Sequence, residues 1–396
     1  MDIRISPSRL SGSIAAIPSK SDVHRLLICA SLADKGTRIV CPSLSSDIEA
    51  TAAALSALGA GISYSNGAFE VDPIKKAAAA PEIDCRESGS TLRFLLPVAA
   101  TITDGARFSG RGRLPDRPIS ELIEALSSRG VSFSGTKLPF LTKGRFSGGV
   151  VRIAGNLSSQ YITGLLLALP CTENGGRIEL TAPLESSPYV DMTERALDRF
   201  GVRCIRSADG WTVSQGQHYA SPGEICAEGD WSNAAFFLAA GVEVTGLDPQ
   251  SPQGDRAILA QLREIKRGGA VISLASTPDS LPILAVTAAL SGSATVFTNA
   301  ARLRLKESDR LKSVRDMLIS LGGSAAETED GLEVLGTGLR GGIVDSQNDH
   351  RIAMAAAVAA SFAERETVIR GAEAVNKSYP SFWEDYRKLG GKADVV

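Results

Sequence analysis

The chain has 396 residues, which is too long for one ordinary hydrophobic core and predicts two domains. Its 43% hydrophobic and 22% charged residues are typical of a soluble globular protein and exclude a fibrous or disordered one. The formal net charge of −2 excludes an overall field that attracts nucleic acid or a membrane, so any anion site must come from local clusters of cations.

The cysteine and histidine pattern predicts free thiols and no metal site. The six cysteines are scattered without a C-x-x-C pair, and the three histidines lie far apart in the sequence. The opening "MDIRISPS" lacks the apolar segment of a secretion signal, and no apolar run is long enough to predict a membrane span. We therefore expect a cytoplasmic protein.

Two sequence patterns recur six times in the same order. The first is a short polar stretch followed by an Ala/Leu-rich helix, and it occurs at 19–33, 86–100, 156–170, 229–241, 277–290 and 347–360. The second is a helix that ends at a glycine before a short strand, and it occurs at 55–64, 126–135, 197–206, 262–273, 318–327 and 386–395. Glycine suits a helix end because it adopts a positive φ without strain.

These patterns predict an α/β fold built from six β-α-β-α-β units. The first helix of each unit is apolar nearly all round and therefore buried, whereas the second is amphipathic. We expect two domains of three units each, with pseudo-threefold symmetry, buried helices inside and sheets outside, in the manner of an inside-out α/β barrel. Domain one is predicted at 1–18 and 229–396, and domain two at 19–228. A chance likeness of Ala-rich helices is disfavoured because both patterns recur in order.

Cations stand at several predicted helix starts, where the helix dipole disfavours them. Lys20 and Arg25 crowd the start of the first helix, and His350 with Arg351 crowd a later one. If the buried helices of a domain begin on the same side, their free N–H groups converge and form anion sites. Bound anions would explain this pattern of charge.

The segment "RLKESDRLK" (304–312) has the same character. On a helix, Lys306 and Arg310 would share a face and repel each other, with Glu307 beside them. An ordinary surface ion pair between Glu307 and Arg310 explains this segment equally well.

Three further polar stretches are consistent with anion binding. "ESGSTLR" (87–93) allows close backbone approach at its glycine, "SSQ" (158–160) offers hydroxyls and an amide, and "GRGRLPDRP" (110–118) is rich in arginine. Each alone is explained as well by helix capping or by solvated loop charge. Together they indicate substrates with several negative charges. Asp279 and Glu307 are carboxylates within basic clusters, a setting that suits acid–base chemistry.

At these residues the sequence resembles the family of 5-enolpyruvylshikimate-3-phosphate (EPSP) synthases, the 3-phosphoshikimate 1-carboxyvinyltransferases. The resemblance covers essentially the whole chain. It is carried in order by "SKSDVHR", "ESGSTLRF", "LPDRPI", "GNLSSQY", "SSPYVDMT", "PDSLP", "LKESDRL", "NDHRIAM" and "NKSYPSFW".

The resemblance implies transfer of the enolpyruvyl group of phosphoenolpyruvate to the 5-hydroxyl of shikimate 3-phosphate, without a metal or organic cofactor. Asp279 would take the hydroxyl proton, and Glu307, with Lys20, would protonate the methylene carbon. The residues implied for shikimate 3-phosphate are Ser21, Arg25, Ser158, Ser159, Ser186, Asp279 and Lys306. Those implied for phosphoenolpyruvate are Gly89, Arg117, Arg310, Arg351 and Lys377, and those implied for both substrates are Lys20 and Gln160.

Three residues depart from the family pattern. Pro18 replaces a common glycine, Glu87 stands where asparagine is usual, and Arg302 occupies a position where asparagine often contacts shikimate 3-phosphate. The last departure leaves that one contact open.

Two alternatives remain at this point: a UDP-N-acetylglucosamine enolpyruvyl transferase, and a non-catalytic anion-binding protein of the same fold. The first would have a Lys-Asn pair early in the chain and a cysteine in the Arg-rich loop, and the second would have lost a catalytic residue. We expect a monomer whose two domains close around the substrates.

Overall fold

The computed structural model describes all residues, Met1–Val396, and the chain divides into two compact units. Unit 1 consists of Met1–Ser19 and Glu228–Val396, and unit 2 consists of Lys20–Ala227. Each unit has its own core of buried apolar side chains. The chain therefore crosses between the units twice, after Ser19 and after Ala227.

Twelve α-helices and twenty-two strands make up the two units. The helices are α1 (Lys20–Ser31), α2 (Ser46–Leu58), α3 (Gly89–Ile102), α4 (Ser120–Ser127), α5 (Ser159–Ala168), α6 (Ser187–Arg199), α7 (Trp231–Ala239), α8 (Ile258–Arg267), α9 (Leu281–Ala289), α10 (Arg310–Ser320), α11 (His350–Phe362) and α12 (Phe382–Lys388). The strands are β1 (Ile3–Ser6), β2 (Ser13–Ala15), β3 (Thr37–Val40), β4 (Gly61–Ser65), β5 (Ala68–Asp72), β6 (Glu82–Asp84), β7 (Arg107–Ser109), β8 (Ser132–Phe133), β9 (Phe140–Lys143), β10 (Gly149–Ala154), β11 (Gly176–Ala182), β12 (Cys204–Ser207), β13 (Gly210–Val213), β14 (Glu224–Cys226), β15 (Glu243–Thr245), β16 (Val271–Ser273), β17 (Ala294–Thr298), β18 (Ser324–Glu327), β19 (Leu332–Leu335), β20 (Ile343–Asp345), β21 (Thr367–Arg370) and β22 (Lys392–Val395). Short 3₁₀ helices lie at Leu114–Asp116, Leu169–Cys171, Gly254–Ala257, Pro278–Ser280, Ala301–Leu305 and Ala372–Lys377.

Unit 2 contains three similar four-stranded sheets. Their strand orders are β14-β3-β5-β4, β6-β7-β9-β8 and β10-β11-β13-β12. In each sheet the first two strands are parallel and the other pairings are antiparallel. The parallel pairs are joined across a buried helix, as a parallel pair requires a crossover, except that β14 reaches the first sheet from the end of the unit.

Unit 1 follows the same plan with one incomplete repeat. Its sheets have the orders β16-β17-β19-β18, β20-β21-β1-β22 and β15-β2. Strand β1, at the start of the chain, pairs with β21 and β22 at its end. The predicted α/β fold of repeated units is confirmed. Most repeats contain one strand more than predicted, because a hairpin rather than a single strand follows the second helix.

The sequence signals for helix ends are also confirmed. Each predicted glycine has a positive φ just beyond its helix, at Gly59, Gly130, Gly201, Gly268, Gly322 and Gly390. The starts of six helices are capped by side-chain oxygens that accept a backbone N–H, from Ser45, Ser88, Ser158, Asp230, Asp309 and Asp349.

A chain of buried hydrogen bonds joins three helices of unit 2. His24 Nδ1 lies 2.7 Å from Thr51 Oγ1, which lies 2.7 Å from Thr91 Oγ1, and Thr91 donates to Ser88 Oγ at 2.8 Å. Burial lowers the pKa of His24 well below its usual value, and the charges of Lys20 and Arg25 lower it further. The imidazole is therefore neutral and serves to align α1, α2 and α3.

All six cysteines are free thiols, three of them buried, two partly buried and Cys226 exposed. None of the helices is both long enough and apolar enough to cross a membrane.

We predict that Gly164→Ala destabilises unit 2. A Cβ at Gly164 on α5 would lie 2.2 Å from the carbonyl oxygen of Arg93 on α3, so the two helix backbones would have to separate. Overpacking of this kind costs about 1–3 kcal/mol, against a gain of about 1 kcal/mol from the better helix propensity of alanine. Urea unfolding should show a net loss.

The matched control is Gly135→Ala, where a Cβ meets nothing within 4 Å. Its free energy of unfolding should change by less than about 0.5 kcal/mol. Equal stability of the two variants would show that α3 and α5 can part without cost.

Candidate active site

A buried arginine at the start of α10 is the centre of a charged cluster in unit 1. The Arg310 side chain is 1% exposed. Its Nε donates to Asp349 Oδ2 at 2.8 Å, one terminal nitrogen donates to Asp279 Oδ1 at 2.6 Å, and the other donates to Glu307 Oε2 at 2.6 Å. A guanidinium this deeply buried requires compensating charge, and three carboxylates provide it.

Asp279 lies in the short 3₁₀ helix that leads into α9, among three cations. Besides Arg310, its carboxylate lies 3.7 Å from Lys306 Nζ and 3.2 Å from Arg351. Burial acts to raise the pKa of Asp279, but the charges of Arg351, Lys306 and Arg310 outweigh burial and hold the pKa well below its ordinary value. Asp279 is therefore ionised and, in this state, a weak base.

Asp349 is a partner that the sequence analysis did not identify. Its side chain is fully buried and caps α11 by accepting the backbone N–H of Arg351 at 3.0 Å. It also accepts a hydrogen bond from Ser308 Oγ at 3.0 Å, besides those from Arg310. The signal was present, since an aspartate directly before "HRIAM" is a typical helix cap.

The local structure around Lys306 and Glu307 differs from the helix considered in the sequence. Both residues lie between the 3₁₀ helix Ala301–Leu305 and α10, so Lys306 and Arg310 do not share a helix face. The ion pair between Glu307 and Arg310 is present at 2.6 Å, but it is not an ordinary surface pair, because Glu307 is 21% exposed and Arg310 only 1%.

Arg351 and Lys377 lie next to this cluster in the same unit. Arg351 is in the first turn of α11, and its guanidinium contacts both the carboxylate and the carbonyl of Asp279. Lys377, at the end of a 3₁₀ helix, donates through Nζ to the carbonyl of Asn348 at 2.7 Å. Residues from four segments of unit 1 are thus brought together.

In unit 2, Arg25 is the corresponding buried arginine, with 1% exposure. It donates to the hydroxyl of Thr193 at 2.9 Å and to the carbonyls of Ser21 at 2.5 Å and Tyr189 at 2.7 Å. It also lies 5.0 Å from the centre of the Phe94 ring. Arg25 therefore ties the start of α1 to the first turn of α6, and most of its donors point into the protein.

The predicted serines of unit 2 lie at three helix starts. Ser21 is in the first turn of α1, Ser158 caps α5 by accepting the N–H of Gln160 at 3.3 Å, and Ser159 begins that helix. Ser186 precedes α6 in the left-handed conformation, with φ of 54°. Hydroxyls at helix starts, beside free N–H groups, suit a phosphate.

A second cluster in unit 2 surrounds Gly89, the first residue of α3. A Cβ there would lie 2.5 Å from a terminal nitrogen of Arg93 and 2.9 Å from one of Arg117. Glycine thus allows two guanidinium groups to approach the helix start. Gln160 accepts from Arg93 at 3.0 Å and donates to Ser90 at 3.0 Å. Arg93 is not among the residues predicted from the sequence, although it ends the segment "ESGSTLR".

Two residues near these clusters have specific neighbours. Lys20 Nζ pairs with Asp47 Oδ2 at 2.8 Å, and both side chains are about 85% buried, being 14% and 15% exposed. Glu87 packs against Gly112, which lies in the Arg-rich loop that leads to Arg117. A Cβ added at Gly112 would lie 2.8 Å from Oε2 of Glu87. Glu87 therefore supports this loop.

Helix starts, buried guanidinium groups and paired carboxylates on an α/β scaffold of repeats define a protein that binds small anions and can move protons. A model of the family EPSP synthase (3-phosphoshikimate 1-carboxyvinyltransferase) matches residues 5–386. A 3-phosphoshikimate 1-carboxyvinyltransferase from Clostridium kluyveri is 40% identical over 99% of this chain and 98% of the relative. The chain belongs to the EPSP synthase family.

Solved structures show the shared fold. An EPSP synthase from Acinetobacter baumannii matches with a TM-score of 0.81 and 22% identity over 100% of both chains. An enolpyruvyl transferase from Streptomyces tendae matches with a TM-score of 0.78 and 19% identity, over 99% of this chain and 98% of that one. Because the second match is nearly as good as the first, the fold alone does not identify the acceptor.

Asp255 is a buried carboxyl behind the cluster of unit 1. It is 3% exposed and accepts a hydrogen bond at 3.1 Å from the hydroxyl of Ser280, the residue after Asp279. Burial, and then the negative charge of Asp279, raise the pKa of Asp255 to about 6, against the opposing charge of Arg351. In the folded state Asp255 therefore holds its proton more tightly than in the unfolded chain.

We predict that Asp255→Asn stabilises the protein at neutral pH. Between about pH 4 and 6 the unfolded state loses a proton that the folded state keeps, so the free energy of unfolding falls as the pH rises through this window. Asparagine removes this loss and can still accept from Ser280. Urea unfolding should show a gain of up to about 3 kcal/mol at pH 7.5 and none near pH 4. A gain of the same size at both pH values would contradict this assignment.

Proposed function

We propose that this protein transfers the enolpyruvyl group of phosphoenolpyruvate to the 5-hydroxyl of shikimate 3-phosphate and releases inorganic phosphate. The observation that carries the proposal is the match of nearly the whole chain, at 40% identity, to a relative named for this reaction. The clusters support it, since both substrates carry a phosphate and a carboxylate. A UDP-N-acetylglucosamine acceptor and a non-catalytic role are not favoured, because the family model carries the same enzyme name.

For shikimate 3-phosphate, we propose that the helix starts of unit 2 supply most contacts. Ser21, Ser158, Ser159 and Ser186 offer hydroxyls beside backbone N–H groups. Arg25 contributes its positive charge and holds the starts of α1 and α6 in place, since most of its donors are used within the protein. In unit 1, Lys306 would add a cation.

For phosphoenolpyruvate, we propose that guanidinium groups of both units act as clamps. In unit 2 these are Arg117 and the newly identified Arg93, which flank Gly89, with Lys20 and Gln160 reaching both substrates. In unit 1 the clamps are Arg310, Arg351 and Lys377. Arginine suits this role because its planar fork binds a carboxylate or phosphate through two hydrogen bonds.

The first chemical step would be addition to the double bond. The oxygen of the 5-hydroxyl forms a bond to C2 of phosphoenolpyruvate while its proton passes to Asp279. The methylene carbon C3 gains a proton from the protonated form of Glu307, assisted by the charge of Lys20, and a tetrahedral adduct results. Arg310 donates to both carboxylates and so sets the distance between base and acid.

The second step would be elimination. Phosphate leaves C2 with the bonding electrons and takes up the proton held by Asp279. C3 loses a proton back to the carboxylate of Glu307, which restores a double bond in the product. The cations around the adduct stabilise the charge that develops on the leaving phosphate.

The charge balance of unit 1 gives Asp279 a base strength that depends on the substrates. Its pKa is held low by Arg351, Lys306 and Arg310. When substrate anions bind these cations, the cations are shared, and the pKa of Asp279 rises toward the range of an effective base. Proton transfer is thus favoured once the substrates are in place. We further propose a monomer in the cytoplasm, where free thiols persist.

The test is phosphate release from phosphoenolpyruvate with each acceptor in turn. We expect release with shikimate 3-phosphate and none with UDP-N-acetylglucosamine. Glu307→Gln keeps the size and one acceptor oxygen but removes the acid, so turnover should fall by roughly 10²–10⁴ while calorimetry still detects binding of shikimate 3-phosphate. Glu329→Gln, at an exposed position of the same unit, is the matched control. Unchanged turnover in Glu307→Gln would remove Glu307 from the mechanism.

We predict that Arg117→Ala weakens phosphoenolpyruvate far more than shikimate 3-phosphate. The Arg117 side chain is buried beside Gly89, so loss of a desolvated charge contact should cost about 2–4 kcal/mol. Arg113→Ala, in an exposed part of the same loop, should have little effect. Calorimetric titration with shikimate 3-phosphate measures the first affinity. Titration with phosphoenolpyruvate in the presence of shikimate 3-phosphate, with both arginine variants made in the inactive Glu307→Gln background, measures the second. Equal losses for the two substrates would contradict the assignment of this cluster.

A further inference from the structure

Arg302 links the two chain segments that carry the acid–base residues of unit 1. It lies in the 3₁₀ helix Ala301–Leu305, directly before Lys306 and Glu307. One terminal nitrogen of its guanidinium donates to the carbonyls of Leu274 at 3.3 Å and Ala275 at 2.5 Å. These carbonyls follow the end of β16 and precede Asp279 by only a few residues.

The 3₁₀ helix that holds Arg302 is itself firmly anchored. Asp330 accepts the backbone N–H groups of Asn299 at 2.7 Å, Ala300 at 3.2 Å and Ala301 at 3.3 Å. On the other side, Arg304 contacts Asp309 at 3.4 Å and Glu327 at 2.5 Å. Arg302 therefore reaches out from a fixed base.

The segment that receives Arg302 has few regular contacts of its own. The pairing of β16 with β17 continues to Leu274, whose N–H donates to Thr298 at 2.9 Å. The N–H of Ala275 then donates to Ser273 Oγ at 3.4 Å, and Thr277 accepts from Gln261 Nε2 at 2.8 Å. The clamp by Arg302 lies between these two points, where the chain leaves the sheet and turns toward Asp279.

We propose that Arg302 is a positioning residue, which holds the segment 274–279 so that Asp279 stays in register with Lys306 and Glu307. This inference rests on the proposed function. The sequence left open whether Arg302 contacts shikimate 3-phosphate in place of the usual asparagine. The two carbonyl contacts favour the positioning role, because they direct the guanidinium to the backbone of its own unit.

The expected effect lies in the chemical step. A catalytic base must be held within a fraction of an ångström, and a displacement of about 1 Å costs on the order of 10²-fold in rate. Arg302→Met keeps the length and apolar stem but removes every donor. We expect kcat to fall roughly 10- to 100-fold, whereas the KM for shikimate 3-phosphate should stay within about threefold of the wild-type value.

Two companion variants separate positioning from other roles. Arg302→Lys keeps a donor of similar reach and should recover most of the lost kcat, whereas Arg263→Met, at an exposed position on α8, should leave kcat unchanged. The rate is expressed per binding site for shikimate 3-phosphate, and these sites are counted by calorimetry. A merely structural role would reduce the folded fraction and leave the rate per site unchanged. If Arg302→Met does not fold, Arg302→Gln, which is too short to reach both carbonyls, carries the same test.

The outcomes are distinct. A fall in kcat per site that lysine rescues supports the proposal. A large rise in KM for shikimate 3-phosphate at constant kcat would identify a direct substrate contact and overturn it, as would an unchanged rate per site. If the wild-type protein itself released no phosphate with shikimate 3-phosphate as acceptor, the proposed function would be contradicted instead.

Discussion

The burial of a guanidinium group beneath converging helix starts is the constraint on which the rest of the candidate site depends. Arg310 is buried with three carboxylates as partners, and a guanidinium this deeply buried would be left uncompensated if these partners were displaced together, at a cost of several kcal/mol. This requirement holds the segments around Asp279, Glu307 and Asp349 together. Arg25 is equally buried in unit 2, where it donates to hydroxyl and carbonyl oxygens of neighbouring helix starts.

The two clusters therefore differ in charge as well as in position. In unit 1 both Lys306 and Arg351 lie within reach of the carboxylate of Asp279, so under the proposed mechanism an incoming anion competes with Asp279 for these partners. Under the proposed mechanism, the preference of a substrate for these cations raises the basicity of Asp279, since a ligand shifts an equilibrium only by its preference for one state. In unit 2 the partners of Arg25 include the hydroxyl of Thr193 and the carbonyls of Ser21 and Tyr189, so its role includes holding helix starts in place.

Local patterns in the sequence were sufficient for the helices, their glycine ends and the α/β class, because periodicity and capping are short-range properties. Long-range pairing left no comparable signal. The pairing of β1 with β22 joins the two ends of the chain, and β14 completes a sheet whose other strands lie far before it. The same limit applies to the site. Glu307 and Arg310 were visible as neighbours, but nothing in their spacing showed that Asp279 and Asp349 would surround the same guanidinium.

The fold separates the residues that maintain the scaffold from those that carry chemistry. The interiors of α3, α5 and α11 are apolar and packed on nearly all sides, so most changes there would alter volume and cost stability. The helix starts, by contrast, are joined by hydrogen bonds that different polar residues can satisfy. Arg302 illustrates this freedom: a longer side chain than the usual asparagine finds its partners in backbone carbonyls. We therefore propose that a departure from the family pattern at this position transfers a residue from binding the substrate to supporting a neighbouring segment, without disturbing the core that sets the position of both.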